Sequence, residues 1–225
     1  MKREEFQRIE SFMLKNMDDT VHNSLHVYRV LNYAIQITDA MENVDTEVVI
    51  ISALLHDIGR VDEMKNPSLC HAEVGSEKAK NFLIGNGYGE EKADHIANCI
   101  LTHRYKKSRE PQTIEAKIIF DADKLDLTGT VGVARAILFG GQIEEPLYLV
   151  GEHRFPTKGI PSEGASLFRE YNRKLNKLFL KLYTEKAKEI GREQQNTMDS
   201  YFNNLFQEVN RNYFNGKKLM DRILE

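Results

Sequence analysis

The sequence predicts an all-α protein. Apolar residues recur at helical spacing along most of its length, and no stretch alternates apolar with polar residues for more than a few positions. Five prolines and no tryptophan among 225 residues also suit long helices better than a strand-rich chain with many turns.

Each element has its own local warrant. A first helix over about Glu4–Asn16 carries Phe6, Ile9 and Met13 on one side. Asp18, Asp19 and Thr20 are capping residue types ahead of a second helix over about Asn23–Met41. Asp45 and Thr46 open a third, in which Val48–Leu55 is apolar except for Ser52, so it belongs at the centre; Gly59 is expected to close it in a left-handed conformation. After Asn66-Pro67 a fourth helix runs from about Cys70 to Ile84 and stops at Gly85-Asn86-Gly87. A fifth spans about Glu90–Arg104, a sixth Gln112–Leu127 and a seventh Val131–Phe139. Gly140–Pro161 holds three of the five prolines and reads as a long loop, whose Ile143, Leu147 and Leu149 are placed to meet a neighbouring copy or to cover a site. Two further helices, about Ser162–Tyr183 and Lys186–Asn212, precede a polar tail. That makes eight or nine helices, with no boundary isolating a second core, so residues 1–225 are expected to form one domain.

Composition excludes several functions. Lys plus Arg is 31 against 34 Asp plus Glu, a net charge of -3, which argues against a partner that is a nucleic-acid polymer. No apolar run approaches the ~20 residues of a bilayer span, and the start MKREEFQRIESF lacks the apolar stretch of a secretory signal, so a cytoplasmic protein is expected. Cys70 and Cys99 are too few for a disulfide scaffold and form no CxxC pair.

The sharpest chemical signal is His56-Asp57, set directly after the apolar run IISALL. Alone it fits an ordinary helix C-terminus better, with His56 facing the last carbonyls and Asp57 bonding a nearby amide or Arg60. At about 100° per residue, however, His26 shares an arc with Val30, Tyr33 and Ile37. His56 falls with Val49, Ser52 and Ala53, His103 with Ile96, Cys99 and Ile100, and Asp123 with Ala116, Ile119 and Phe120. Four ionisable groups on four inward faces are costly to bury unless they meet one another or a cation.

The order of motifs is HNSLHVYRV at 22–30, LLHDIGR at 54–60, HAEVG at 71–75, ILTH at 100–103 and DADKLD at 121–126. It resembles the HD-domain superfamily of metal-dependent phosphohydrolases over about residues 20–140. The segment FREYNRKLNKLFLKLYTEKAKEIGRE is similar, more loosely, to the C-terminal helices of small bacterial members that process nucleotides. The resemblance implies a helical bundle of the HD-domain type, with a core at about 20–140 and helices at about 162–212 packing on it. It implies His26, His56, Asp57 and Asp123 as metal ligands, with Asp121 and Asp126 competing for the last place and the Asp-Lys-Leu-Asp context favouring Asp123. His71 and His103 would hold a second metal or contact phosphate, and His22 could support His26. His95 and His153 fit no motif.

Arg29, Arg60 and Lys124 are candidate substrate-phosphate binders. Asp57 is a candidate catalytic group through the metal it holds, and Asp62, Glu63, Glu73 and Glu77 flank the expected mouth, with Glu73 or Glu77 favoured as general acid. The resemblance implies a divalent metal, Mn, Fe, Co, Ni, Zn or Mg, that activates water for attack on a phosphorylated small molecule. The substrate it implies is a nucleotide, with cleavage of a triphosphate to monophosphate plus pyrophosphate one such reaction; nucleotidase and phosphodiesterase activities use the same ligands. A di-iron oxygenase and a noncatalytic nucleotide sensor are the readings from other classes. A homo-oligomer remains open.

Overall fold

The apolar segment after Asp45 forms a helix because both its end and its faces are satisfied. The computed structural model describes residues 1–17, 24–104, 109–151, 155–160 and 162–224. The expected caps Asp18, Asp19 and Thr20 lie outside them. The chain folds as two compact units, Met1–Asp126 with Leu182–Glu189, and Leu127–Lys181 with Ile190–Glu225. Among the described residues the structure is all-α, without a strand, and no helix is long and apolar enough to cross a membrane.

In the first unit, helices α1 (Arg3–Lys15), α2 (Ser24–Thr38) and α3 (Thr46–Leu55) precede a short α4 (Arg60–Lys65). They are followed by α5 (His71–Gly85), α6 (Glu90–Thr102) and α7 (Ile114–Leu125). The Asp45 carboxylate caps α3, accepting from the amides of Glu47 at 3.0 Å and Val48 at 3.1 Å. Val48, Val49, Ile51, Ala53, Leu54 and Leu55 are all buried, and α3 packs against α1, α2, α6 and α7. A helix whose C-terminal half is wholly buried carries the next residues in the chain, here His56-Asp57, into the interior with it.

Gly59 does not adopt the left-handed conformation expected of it. Its φ is -91° and ψ is -1°, it ends a turn over 56–59, and it starts α4. Glycine is required there because the first turn of α5 crosses directly over it. A Cβ on Gly59 would lie 2.2 Å from the carbonyl oxygen of His71 and 2.7 Å from the amide nitrogen of Gly75. That close crossing seats His71 beside the His-Asp turn. At the other end of α5 the positive φ appears where the sequence places it, at Gly87 with φ 87°, and Tyr88 donates back to the Leu83 carbonyl at 3.1 Å.

Asp121 of α7 is a structural group. Its carboxylate accepts from the amides of Tyr183 at 2.8 Å and Thr184 at 2.7 Å, and from the Thr184 hydroxyl at 2.8 Å, just before the final helix begins. It is not in either of the clustered groups of donor side chains among the described residues.

The second unit contains α8 (Gly129–Gln142), α9 (Leu167–Arg173), a 3-10 segment (Leu175–Lys181) and most of α10 (Glu185–Leu224). Its core is Val133, Leu167, Phe168, Leu175, Leu178, Met198 and Phe202. Two expectations are corrected here. The helix expected over 162–183 starts only after Ser166, whose hydroxyl accepts from the Arg169 amide at 3.2 Å, and breaks at Lys174. The apolar residues on either side of the break stay on one arc, so periodicity alone cannot reveal it. The polar tail expected after Asn212 is instead helix as far as Leu224, with Leu219, Met220, Ile223 and Leu224 exposed.

The Gly59 crossing makes a prediction. Gly59→Ala should destabilise the protein by at least about 1–3 kcal/mol, because a backbone carbonyl cannot move aside as a side chain can. Gly85→Ala, where an added Cβ meets nothing within 4 Å, should be nearly neutral. Urea unfolding measured by circular dichroism compares them, and equal midpoints would contradict the crossing.

Candidate metal centre

Helices α2, α3, α5, α6 and α7 of the first unit deliver ionisable side chains to one buried place. His26 comes from the first turn of α2, His56 caps the C-terminus of α3 and Asp57 is the next residue; His71 is the first residue of α5 and His103 caps the C-terminus of α6. Asp123 lies in the last turn of α7 and Asp126 caps it. His26, His56 and Asp57 are fully buried, and Asp123, the most open of the set, is 9% exposed.

They form two groups. Donor atoms of His26, His56 and Asp123 lie within 4.8 Å of one another, as do those of Asp57, His71 and His103. Asp57 joins the groups: Oδ2 is 3.6 Å from His26 Nε2 and 3.7 Å from His56 Nε2, while Oδ1 is 3.6 Å from Nε2 of both His71 and His103. Asp123 Oδ1 stands 3.5 Å from His26 Nε2.

Hydrogen bonds on the far side of each ring fix which nitrogen faces inward. His56 Nδ1 donates to the Ala53 carbonyl at 2.8 Å and His103 Nδ1 to the Ile100 carbonyl at 2.6 Å. A carbonyl oxygen only accepts, so both Nδ1 atoms carry hydrogen. His26 Nδ1 meets Asp126 Oδ2 at 2.7 Å and His71 Nδ1 meets Glu63 Oε2 at 2.7 Å, in the carboxylate–histidine arrangement that supports metal ligands. Every Nε2 therefore points into the centre, 3.2 Å apart for His26 and His56 and 3.3 Å for His71 and His103.

Two neutral imidazole lone pairs at such distances repel unless a proton or a cation lies between them. Burial drives His56 down to about 4, and burial with the Arg60 guanidinium drives His71 down to about 3. Burial also pulls on His26, but the Asp126 and Asp57 carboxylates outweigh it and hold that ring above its usual range. Burial opposes ionisation of Asp123, yet the Lys124 ammonium holds its carboxyl well below the usual range. A divalent transition metal takes neutral imidazoles and ionised carboxylates; His56 and His71 are held towards the neutral form and Asp123 towards the ionised one, and His26 would yield its extra proton to the ion, so these residues fit one.

The cations singled out in the sequence are engaged differently from one another. Arg29 is committed to Asp126, with Nε 2.6 Å from Oδ1 and Nη2 3.1 Å from Oδ2, and braces the support of His26. Arg60 reaches Asp57 Oδ1 at 3.0 Å and Glu63 at 3.2 Å. Lys124 lies 2.6 Å from Asp123 Oδ2 and 3.3 Å from the His103 carbonyl. Asp126, the alternative to Asp123, serves His26 from behind and is not among the donor groups.

Glu73 pairs with Arg109 at 2.5 Å, and Glu77 is exposed on α5. The carboxylate against the histidines is Glu63, joined by Arg104 at 2.7 Å; the sequence places Glu63 only at the flank of the mouth and does not single out Arg104. The one signal for Glu63 is its place three residues after Arg60 on α4, a helix too short to show a period. Lys78 pairs with Asp62 at 2.6 Å, and His95 with Glu115 at 3.2 Å. His22 and His153 lie outside the described residues.

Known proteins share both the sequence and this architecture. A family model for the HD domain matches residues 24–128, which enclose every donor and its support. The chain is 30% identical over 192 residues to the uncharacterized protein YpgQ of Bacillus subtilis (strain 168), with 84% of each chain covered. The crystal structure of Bacillus subtilis YpgQ in complex with ADP has 27% identity and a TM-score of 0.71, covering 91% of this chain and 97% of that one. An HD-superfamily hydrolase from Bacillus thuringiensis shares the fold at 24% identity and TM-score 0.71, covering 92% and 98% of the two chains. From the motif order, the helical architecture and these relatives, this chain belongs to the HD-domain family.

Proposed function

We propose that this chain hydrolyses the phosphate ester or anhydride bonds of a nucleotide, using metal-activated water. The observation that carries the reading is the bridging position of Asp57, with one pair of imidazoles at each carboxylate oxygen. His26, His56, Asp57 and Asp123 would hold a divalent ion such as Mn, Fe, Co, Ni, Zn or Mg. His71 and His103 would face a second ion or the substrate phosphate. A bound divalent ion supplies water made acidic enough to attack at neutral pH and polarises the phosphoryl oxygen.

The protein's own groups do the rest. Asp126 and the backbone carbonyls of Ala53 and Ile100 hold the ring orientations, so no side chain has to reorganise when substrate arrives. Lys124 and Arg60 already stand against donor carboxylates, where a phosphoryl oxygen would meet them. Both Glu63 oxygens are occupied by His71, Arg60 and Arg104; the proposed source of the leaving-group proton is Glu73 or Glu77 of α5, which flank the expected mouth in the sequence. The ADP complex of YpgQ supports a nucleotide as the substrate class.

The test is metal analysis and then a nucleotide panel with product identification. Chelation should abolish hydrolysis and readdition of one of these metals restore it, and His56→Ala should lose at least about 100-fold in turnover. Pyrophosphate as product identifies triphosphate-to-monophosphate cleavage, and orthophosphate identifies nucleotidase action. Unchanged activity in His56→Ala, or iron with oxygen consumption and no phosphate release, would overturn the reading.

Asp126→Asn addresses the support rather than the donors. Asparagine keeps an acceptor for His26 but loses the charge that Arg29 braces, so metal affinity should fall by about 10–100-fold while the fold persists. Competition against a fluorescent chelator measures this, and wild-type affinity would exclude it.

A further inference from the structure

We propose that Glu63, braced by Arg60 and Arg104, is a positioning residue that fixes the tautomer of His71 and so keeps the second imidazole pair open to a cation. The inference rests on the reading of His71 and His103 as a donor pair.

Each histidine's place on its helix decides what can hold its ring. The last turn of an α-helix leaves carbonyl oxygens without intrahelical partners, whereas the first turn leaves amide hydrogens. His56 and His103 are both C-terminal caps, and each takes the carbonyl three residues back, Ala53 or Ile100, as the acceptor for Nδ1. His26 and His71 stand in the first turns of α2 and α5, where the backbone offers no free acceptor. Each of those two is instead bound at Nδ1 by a carboxylate from elsewhere in the chain, and each carboxylate is gripped by arginine. For His26 the pair is Asp126 with Arg29; for His71 it is Glu63, with Arg104 Nη1 2.7 Å from Oε1 and Arg60 Nη1 3.2 Å from Oε2.

Without Glu63 nothing obliges the His71 proton to stay on Nδ1. On Nε2 it would point at His103 Nε2, 3.3 Å away, and at Asp57 Oδ1, 3.6 Å away, filling the space a cation or phosphate needs. Arg104 also contacts Cys70 Sγ at 3.6 Å, next to His71, which holds the guanidinium over the start of α5. Glu63 and Arg104 thus act through His71, while Arg60 also reaches Asp57 Oδ1 at 3.0 Å.

Nitrogen-15 NMR of the metal-free protein reads the tautomer directly, with His71→Asn identifying the His71 signals. The wild type and Glu63→Gln, which keeps an acceptor, should show hydrogen on Nδ1; Glu63→Leu should show it on Nε2. Isothermal titration with Mn should find the second cation bound about 10–100-fold more weakly in Glu63→Leu, with the first unchanged. A retained Nδ1 proton in Glu63→Leu, or indistinguishable Gln and Leu variants, would overturn the role of Glu63. A single cation per chain that His71→Asn leaves undisturbed would overturn the donor reading of His71 instead, and the tautomer comparison would still decide Glu63.

Discussion

The Asp57 carboxylate is the contact on which the rest depends. A fully buried carboxylate needs partners, and here each oxygen faces two imidazole nitrogens. Those nitrogens face it only because their rings are locked from behind. The centre is therefore two shells deep, and the outer shell sets the chemistry of the inner one. Rotating any one ring by half a turn would replace a lone pair with a C–H edge and leave a buried polar atom without its counterpart.

The same requirement explains the surrounding fold. The α3 helix is apolar from Val48 onward except for Ser52, and this buried end carries the His-Asp turn to the centre of the unit. The Gly59 crossing brings the start of α5 to that turn, and α6 delivers His103 from a C-terminal cap. Asp121, two residues before Asp123, is spent on Tyr183 and Thr184, so one short acidic stretch serves packing, donation and ring support through three different residues. Helical geometry separates them: Asp123 turns to the donor groups, while Asp126, at the helix end, reaches behind His26.

Periodicity encodes inward faces, and those are legible in the sequence: the structure brings His26, His56, Asp57, His71, His103 and Asp123 together as their arcs and motif order imply. Asp123 is separable from its two neighbouring aspartates for the same reason. Partnerships between distant charged residues are not legible. Arg29 looks like any helix arginine until the fold sets it on Asp126, 97 positions away. Glu63 belongs to a six-residue helix, too short for a period, and the pairing of Arg104 with it spans 41 positions. Gly59 reads as a left-handed cap because spacing signals a helix end, whereas a close crossing of backbones leaves no trace in a single sequence. The break at Lys174 is invisible because it preserves the apolar face.

Charge balance connects this geometry to an anionic substrate. Asp57, Asp123, Asp126 and Glu63 are matched by Arg60, Lys124, Arg29 and Arg104, each cation within hydrogen-bond range of its carboxylate. With the imidazoles neutral, as a metal requires of its ligands, the group is balanced, so every divalent ion bound there would bring an excess of two positive charges into a buried place. A dioxygen ligand would not relieve that excess until reduced, and a neutral sugar or base would not relieve it at all. A phosphate group of the proposed substrate would do so at once, and Lys124 and Arg60 stand beside it against Asp123 and Asp57. The protein's own charges would therefore favour an anion beside a bound metal, which is what the proposed hydrolysis needs.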